Sequence, residues 1–261
     1  MRQINHYIAG KSYSDESEST ASVFAPNTGD VQAEVFLANQ NTLQKAVDSA
    51  LAAQTEWAAT NPQRRARVMF KFKELLEANR DRLAQLLSSE HGKVLSDAQG
   101  DIQRGLEVIE FACGIPHAQK GEYTEGAGPG IDVYSMRQAL GVVAGITPFN
   151  FPAMIPMWMF GVAIACGNSF ILKPSERDPS VPVELAKLMT EAGLPDGVLN
   201  VVHGNKEAVD GILDHKDIKA VSFVGSSDIA NYVYERGARA GKRVQAMGGA
   251  KNHGIVMPDA D

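Results

Sequence analysis

From Gly141 onward the chain alternates between short apolar segments and helical patterns, and no other feature constrains its fold as strongly. The apolar segments are almost continuous, as is typical of parallel strands that are buried on both faces. Strands are predicted over Val142–Ile146, Phe170–Lys173, Val198–Val202, Ala220–Val224 and Arg243–Met247. Helices are predicted between them over Met157–Ala165, Val183–Ala192, Lys206–Leu213 and Asp228–Ala240. Because βαβ crossovers are right-handed, this order predicts an α/β fold with a doubly wound parallel sheet.

Residues 1–120 have the pattern of short strands followed by helices, and we expect them to pack on the sheet domain. Strand and turn signals lie near Ile4–Ala9 and Thr20–Phe24. Helical spacing of apolar residues predicts three helices. They cover Thr42–Ala59 with Asn41 as N-cap, Pro62 to about Glu90 with Gly92 just past the end, and Ser96–Gly114.

Residues 121–140 differ in pattern from the segments on either side. Gly126, Gly128 and Gly130 interrupt this segment, and Ile131–Met136 alternates apolar with polar residues. The pattern predicts a β-hairpin that projects from the body. Because proteins usually cover the open edge of such a hairpin, often with another subunit, we expect a homo-oligomer, a dimer or a tetramer. Residues 141–261 then form the α/β domain.

The composition excludes several classes of protein. A hydrophobic fraction of 44% with 21% charged residues describes a globular chain and not a disordered one. The net charge of −6 argues against nucleic acid and anionic membranes as partners, and the apolar run from Phe151 to Cys166 is too short to span a bilayer. The two cysteines, Cys113 and Cys166, have neither disulfide nor metal-ligand spacing, so no metal site is predicted. They favour a reducing compartment, either the cytoplasm or, in a eukaryote, the mitochondrial matrix.

The most informative segment for function is Gly141–Pro152, in which a buried strand stops at a turn and Asn150 follows its carboxyl end. In open α/β sheets, ligands bind outside the carboxyl ends of the strands. The side-chain amide of Asn150 could donate to an oxygen that becomes negative during a reaction. It could equally cap the helix that follows, and the spacing alone leaves both roles open.

Polar residues also follow the other strands, and each set has two interpretations. Lys173 and Glu176 suit the hydroxyl groups of a ribose, and the carboxylate favours NAD over NADP, although the neighbouring Arg177 weakens that inference. The alternative is a solvated charged turn. Ser226 opens a helix directly after a strand, where N–H groups suit a phosphate, and the alternative is a plain N-cap. His203 is interpreted as a local turn residue. The GxGxxG pattern is absent, so a standard Rossmann pyrophosphate loop is not supported.

Taken together, these segments resemble the aldehyde dehydrogenase superfamily, and the resemblance extends over the whole chain. It rests on the order and spacing of Pro148–Pro152, Cys166–Asn168, Lys173–Glu176, Ala192–Pro195, Gly197–Val198, Phe223–Ser226 and Gly248–Gly249. Within the superfamily the chain is most similar to the CoA-acylating methylmalonate-semialdehyde dehydrogenases. Phe149–Trp158 and Ala246–His253 carry that finer resemblance.

The resemblance implies a role for each of these residues. Asn150 would donate to the oxyanion of a thiohemiacetal formed on a catalytic cysteine. The implied cofactor residues are Lys173 and Glu176 at the adenosine ribose with Arg177 beside them, Thr147 and Phe149 along the cofactor path, Ser226 at the pyrophosphate, and Gly248 near the nicotinamide. The implied reaction uses NAD and coenzyme A to convert methylmalonate or malonate semialdehyde to propionyl-CoA or acetyl-CoA.

The chain departs from the family pattern at two points. Hydrolytic relatives carry a Glu before the Gly–Gly turn, whereas Ala246 here cannot take a proton, which agrees with CoA as the acyl acceptor. The family's nucleophilic cysteine lies beyond that turn and is not reached before Asp261, and Cys166 matches a structural thiol. We therefore expect an amino-terminal portion that lacks the catalytic domain and is inactive alone. The alternatives are a hydrolytic short-chain semialdehyde dehydrogenase and a non-catalytic nucleotide-binding or oligomerising fragment.

Overall fold

The computed structural model describes residues 1–260, so Asp261, the last residue of the predicted 141–261 domain, lies outside the described residues. The strands are β1 (Arg2–Ile4), β2 (His6–Ile8), β3 (Lys11–Tyr13), β4 (Ser19–Phe24), β5 (Val31–Leu37), β6 (Tyr123–Gly128), β7 (Ile131–Tyr134), β8 (Val142–Ile146), β9 (Ser169–Lys173), β10 (Leu199–Val201), β11 (Ile218–Val224) and β12 (Arg243–Met247). The helices are α1 (Gln40–Ala59), α2 (Pro62–Ala78), α3 (Arg80–His91), α4 (Leu95–Cys113), α5 (Ile115–Ala118), α6 (Met154–Ala165), α7 (Ser180–Glu191), α8 (Lys206–Asp214) and α9 (Ser227–Arg239).

The main sheet has seven strands in the order β12-β11-β8-β9-β10-β2-β3. Strands β8 to β12 pair in parallel. Strand β8 is the first of these five in the chain and lies third from the β12 edge, so the chain winds outward in both directions from it. This arrangement confirms the predicted doubly wound α/β fold.

Helices cover both faces of the sheet because alternate residues of a strand point in opposite directions. Val142, Ala144 and Ile146 of β8 belong to a core shared with α1, α8 and α9. Val143 belongs to a larger core shared with α2, α4, α6 and α7. Every residue of β8 and β9 is buried, which is why β8 and the middle of β9 are continuously apolar.

One region of the sheet remains open within the described chain. A groove of about 600 Å³ lies on the α6 face of β11 and β12, with Trp158 of α6 on one side and Val224 and Met247 on the other. Its lining is largely apolar. Elsewhere on this face α2, α4 and α7 contribute to the core.

The amino-terminal strands extend the main sheet, which the sequence did not predict. Strand β2 pairs antiparallel with β10, with Tyr7 opposite Val201, and β3 continues the sheet as its edge. The Tyr7 hydroxyl donates to Thr190 Oγ1 on α7 at 3.0 Å. Residues 1–120 therefore contact the α/β region through backbone pairing as well as packing, and the domain boundaries stay a prediction.

The prediction of one helix from Pro62 to Glu90 is wrong, because Asn79 separates α2 from α3. The Asn79 side-chain nitrogen donates to the Leu75 carbonyl at 2.9 Å, and its Oδ1 accepts from Arg82 Nε at 3.1 Å. In a continuous helix the Leu75 carbonyl would accept only from the backbone. The Asn79 side chain competes for it, and this competition favours a break between α2 and α3.

The predicted N-cap of α1 is also wrong. Asn39, and not Asn41, caps this helix, because Asn39 Oδ1 accepts from the Thr42 N–H at 3.0 Å. Helices α6 and α7 each begin three residues earlier than predicted, at Met154 and Ser180. Each has a proline at its third position. The proline lacks an N–H, but no helical hydrogen bond is lost there, because the first four N–H groups of a helix have no partner within the helix.

The hairpin predicted within residues 121–140 is present as β6 and β7. These strands pair antiparallel, with Tyr123 opposite Tyr134, and pair with no other strand among residues 1–260. Ile131 and Val133 are more than half exposed. These apolar residues therefore form an uncovered surface. An isolated two-stranded ribbon of this kind is only marginally stable in water.

No helix within residues 1–260 combines the length and the apolar character that crossing a bilayer requires.

Packing of α1 against the sheet can be tested at Gly197, which precedes β10. Gly197 has φ +87°, and a Cβ there would lie 2.6 Å from the Ser49 carbonyl oxygen of α1. Gly193 has φ +94° with open space around it. Both Gly→Ala substitutions incur about 1 kcal/mol of backbone strain. We expect Gly197→Ala to lower the free energy of unfolding by at least about 1 kcal/mol more than Gly193→Ala, because α1 must shift. Urea unfolding of the two variants measures the difference, and equal losses would contradict this packing.

Candidate functional site

The strand register brings the predicted site residues to one edge of the main sheet. Ile146 at the end of β8 lies opposite Lys173 of β9 and opposite Phe223 of β11. Val224 of β11 lies opposite Met247 of β12. Adjacent strands are about 4.8 Å apart, so the ends of β9 and β11 are separated by roughly 10 Å across β8. This spacing suits one extended ligand along the edge.

The turn after β8 begins with two of the predicted residues. The Thr147 N–H donates to the Lys173 carbonyl at 3.1 Å, which continues the β8–β9 pairing by one residue. Thr147 is buried, and its Oγ1 has no hydrogen-bond partner among the described residues. Phe149 is half-exposed, with the Arg177 guanidinium carbon 4.9 Å from its ring centroid and the His91 ring centroid at 6.3 Å.

The end of β9 places an ammonium beside a carboxylate. Lys173 is 6% exposed, and its Nζ lies 3.5 Å from Glu176 Oε2. Burial lowers the pKa of Lys173, and the Glu176 carboxylate acts in the opposite direction. A buried ammonium does not fit a simple solvated charged turn. The pair offers a donor and an acceptor side by side, as two vicinal hydroxyl groups require.

The start of α9 lies at the same edge. Ser226 is the N-cap residue of α9, as the alternative interpretation has it, but its side chain makes no capping hydrogen bond. Its hydroxyl and the first N–H groups of α9 are therefore suited to an anion. Gly248 follows β12, and a Cβ there would lie 3.0 Å from Ser227 Cα. The next N–H, from Gly249, donates to Ser227 Oγ at 3.1 Å.

Asn150 is exposed in the turn after β8, and its side chain makes no hydrogen bond with the described residues. The alternative of a helix cap is wrong, because α6 begins at Met154 with Ala153 as N-cap. The Met154 N–H donates instead to Asp101 Oδ1 of α4 at 2.7 Å. The Asn150 amide is thus available at the edge where the predicted site residues lie.

Sequence reasoning missed two charged residues that support this turn. Lys93 Nζ donates to the Asn150 carbonyl at 3.0 Å and lies 3.3 Å from Asp101 Oδ2. Asp101 is 2% exposed, and burial raises the pKa of its carboxyl group. A signal existed in the sequence, since Asp101 shares the apolar face of α4 with Ala98 and Ile102. A carboxylate on such a face needs buried partners.

The thiols lie away from this edge. Cys166 follows α6 at the opposite edge of the sheet, just before β9 begins, and Cys113 ends α4, about 18 Å along the helix axis from Asp101. Burial raises the pKa of both thiols. Within residues 1–260 no group of three or more His, Cys, Asp or Glu side chains is arranged to hold a metal ion.

A buried carboxyl group, that of Asp178, lies two residues after Glu176. Asp178 is 2% exposed, and neither of its oxygens has a hydrogen-bond partner among the described residues. Burial raises the pKa of Asp178 to about 8, and the Glu90 and Asp101 carboxyl groups act in the same direction. Glu90 is itself held by the Ser180 N–H at 3.0 Å. Asp178 is therefore protonated at neutral pH in the folded protein.

Asp178→Asn should change how stability depends on pH. Between the ordinary pKa of an aspartate and about 8, the folded chain holds a proton that the unfolded chain has released, so stability falls as pH rises. An asparagine has no such proton. We expect the melting temperature of Asp178→Asn, relative to the unsubstituted chain, to increase steadily from pH 5 to pH 8. Thermal unfolding across this range measures it, with the exposed Asp30→Asn as control, and a constant difference would contradict the assignment.

Comparison with known proteins identifies the family of the chain. The model described as "Aldehyde dehydrogenase family" matches residues 13–261. The chain is 57% identical to a malonate-semialdehyde dehydrogenase of Pseudomonas aeruginosa over 261 residues, which are all of this chain and 52% of the relative. It is 51% identical to the acylating, mitochondrial methylmalonate-semialdehyde dehydrogenase of Arabidopsis thaliana over 259 residues, 99% of this chain and 43% of the relative. The chain thus spans about half the length of the curated relatives that it matches.

Solved structures give the same result. A structure assigned to a methylmalonate-semialdehyde dehydrogenase of Sinorhizobium meliloti, in complex with NAD, is 65% identical with a TM-score of 0.96, and the match covers 100% of this chain and 53% of that one. The methylmalonate-semialdehyde dehydrogenase of Oceanimonas doudoroffii is 54% identical with a TM-score of 0.96 and the same coverage. These matches extend over the whole doubly wound sheet and the segments that flank it. The chain belongs to the aldehyde dehydrogenase family.

Proposed function

We propose that this chain binds NAD along the carboxyl edge of its main sheet and serves a CoA-acylating oxidation of malonate or methylmalonate semialdehyde. The products are acetyl-CoA or propionyl-CoA, with loss of the substrate carboxylate as carbon dioxide. One observation carries the proposal, namely that the Asn150 amide, the Lys173–Glu176 pair and the start of α9 converge on one edge. The names of the relatives support the substrate class.

The residues at this edge match the polar groups of a dinucleotide. Lys173 and Glu176 suit the adenosine ribose hydroxyls, with Arg177 beside them, and a carboxylate in this place disfavours a 2′-phosphate. The Ser226 hydroxyl and the α9 N-terminus suit the pyrophosphate. The buried Thr147 hydroxyl, without a partner among the described residues, supports a ligand along the path between them. Phe149 and Gly248 complete this path at the ends of β8 and β12.

In the reaction, bound NAD supplies a hydride acceptor. The Asn150 side-chain amide donates to the oxyanion that forms when a cysteine thiolate adds to the aldehyde, which lowers the barrier of that step. Asn150 lies in the turn directly after β8, the strand that also carries Thr147 to the proposed cofactor path. Its amide is free to donate, since no described side chain occupies it.

Coenzyme A is proposed as the acyl acceptor. Ala246 occupies the position where a proton-accepting side chain would activate water, and an alanine cannot do so. The word "acylating" in the name of the Arabidopsis thaliana relative supports the same choice. A hydrolytic semialdehyde dehydrogenase that uses another base is the competing enzyme function.

The nucleophile is proposed to lie outside these 261 residues. Cys166 is at the wrong edge of the sheet, Cys113 is at the far end of α4, and burial raises the pKa of both thiols. The chain alone is then a nucleotide-binding and oligomerising module. The exposed apolar side chains of the β6–β7 hairpin support a homo-oligomer, either a dimer or a tetramer. We place the protein in the cytoplasm, or in the mitochondrial matrix in a eukaryote.

Calorimetry of the 261-residue chain tests the cofactor site. We expect NAD to bind more tightly than NADP, and Glu176→Gln to weaken NAD binding about tenfold because a charged acceptor for the ribose hydroxyls is lost. The same substitution should reduce the preference over NADP. Glu207→Gln, exposed in the first turn of α8, is the matched control.

Two outcomes of that experiment oppose the proposal. If Glu176→Gln binds NAD as tightly as the unsubstituted chain, the ribose assignment is wrong. If the chain alone forms NADH from malonate semialdehyde, NAD and CoA, then a nucleophile is present within these residues.

Kinetics of the dehydrogenase that carries this chain together with its nucleophilic cysteine tests the reaction. Asn150→Ala should lower the acylation rate by roughly 10²- to 10³-fold, because a donor to the oxyanion is removed. Asn231→Ala, exposed on α9, is the control. NADH formation should require CoA, whereas an equal rate without CoA would favour the hydrolytic function. An unchanged rate for Asn150→Ala would remove the oxyanion role.

A further inference from the structure

The turn that carries Asn150 has few hydrogen bonds of its own. At the β8 end of the turn the Thr147 N–H donates to the Lys173 carbonyl at 3.1 Å, and at the α6 end the Ile155 N–H donates to the Phe151 carbonyl at 3.3 Å. The Asn150 side chain contributes none. A turn of this kind keeps one conformation only if side chains from elsewhere hold it.

The segment between α3 and α4 provides these contacts. Lys93 has a side chain only 7% exposed, and its Nζ donates to the Asn150 carbonyl at 3.0 Å. The same ammonium lies 4.6 Å from the centroid of the Phe151 ring. Gly92, which ends α3 in the left-handed conformation with φ +86°, reverses the chain directly before Lys93.

Asp101 joins this ammonium to the helix that follows the turn. Its Oδ2 lies 3.3 Å from Lys93 Nζ, and its Oδ1 accepts from the Met154 N–H at 2.7 Å, the first N–H of α6. The Asp101 carboxylate therefore caps α6, although Asp101 itself belongs to α4. One buried ion pair contacts the turn at both ends, at Asn150 and at Met154.

We propose that Lys93 is a positioning residue for Asn150, which acts with Asp101 to hold the 150–154 turn so that the Asn150 amide faces the cofactor edge. A charge-assisted hydrogen bond to a backbone carbonyl is stronger than a neutral one, and the Lys93 side chain that makes it is only 7% exposed. The contact fixes the backbone from which the Asn150 side chain extends. The catalytic consequence rests on the proposed function, whereas the structural consequence does not.

The test needs a variant that removes the contact without leaving a buried charge. Lys93→Met alone leaves Asp101 without its counter-ion, so it is combined with Asp101→Asn, which keeps an oxygen for the Met154 N–H. Lys71→Met, which removes an exposed lysine paired with Glu74 on α2, is the control. Lys93→Arg keeps a cationic donor, so we expect it to change hydrogen exchange and the acylation rate less than the double variant does.

The first measurement is amide hydrogen exchange of the 261-residue chain. We expect the double variant to exchange about tenfold or more faster in peptides that span residues 148–157, with α8 and α9 unchanged. The control should leave all peptides unchanged. Exchange in the 148–157 peptides that equals that of the unsubstituted chain would overturn the positioning role.

The second measurement is single-turnover acylation in the dehydrogenase that supplies the nucleophile. We expect the double variant to lower the acylation rate roughly 10- to 100-fold, with NAD affinity within about twofold. In an Asn150→Ala background the same substitutions should add no further loss, because Lys93 acts through Asn150. An undiminished further loss in that background would overturn the proposal. If Asn150→Ala itself has no effect, the proposed oxyanion role fails, and the exchange result alone decides whether Lys93 holds the turn.

Discussion

Parallel pairing of β8 with β9 on one side and with β11 on the other is the constraint on which the whole site depends. Because Ile146 lies opposite both Lys173 and Phe223, the segments that leave these strands start at the same height above the sheet. A shift of one residue in either ladder would turn each side chain to the opposite face. The buried, two-sided apolar pattern of β8 and β9 prevents such a shift, so the core that stabilises the fold also aligns the residues proposed to bind the cofactor.

Polar groups at this edge are held in different ways, and the difference follows from where each lies. Lys173 is in the last position of a buried strand and is fixed by the ladder itself, with Glu176 as its ionic partner. Asn150 lies in an irregular turn, which obtains its contacts from Lys93 and Asp101 on other elements. The site therefore combines strand ends, which the hydrogen bonds of the sheet hold in place, with a turn that depends on side-chain contacts from distant parts of the chain. Lys93 and Asp101 supply partners for the Asn150 carbonyl and the Met154 N–H that regular structure does not provide.

The sequence predicted the fold to the extent that periodicity and turn chemistry determine it. Five parallel strands, the hairpin and most helices follow from apolar spacing, and the family motifs identified the residues at the strand ends. Local competition by asparagine side chains was less predictable, since Asn39 and Asn41 are equally suited to cap α1 and the Asn79 side chain bonds the Leu75 carbonyl four residues earlier in a segment with helical spacing. The pairing of β2 with β10 was also missed, because nearly 200 residues of sequence separate Tyr7 from Val201 and short strands leave a weak pattern.

By itself, the sequence determined which segments become strands, which residues stand at their carboxyl ends, and that both cysteines lie in apolar surroundings. These properties are local, so propensity, periodicity and motif spacing express them directly. Only the tertiary structure decided that Asn150 is not a helix cap, that Asp101 performs that task from α4, and that Lys93 reaches the turn that carries Asn150. Those contacts join positions more than 50 residues apart in the chain. The sequence pattern alone does not show which distant residues lie close together in space.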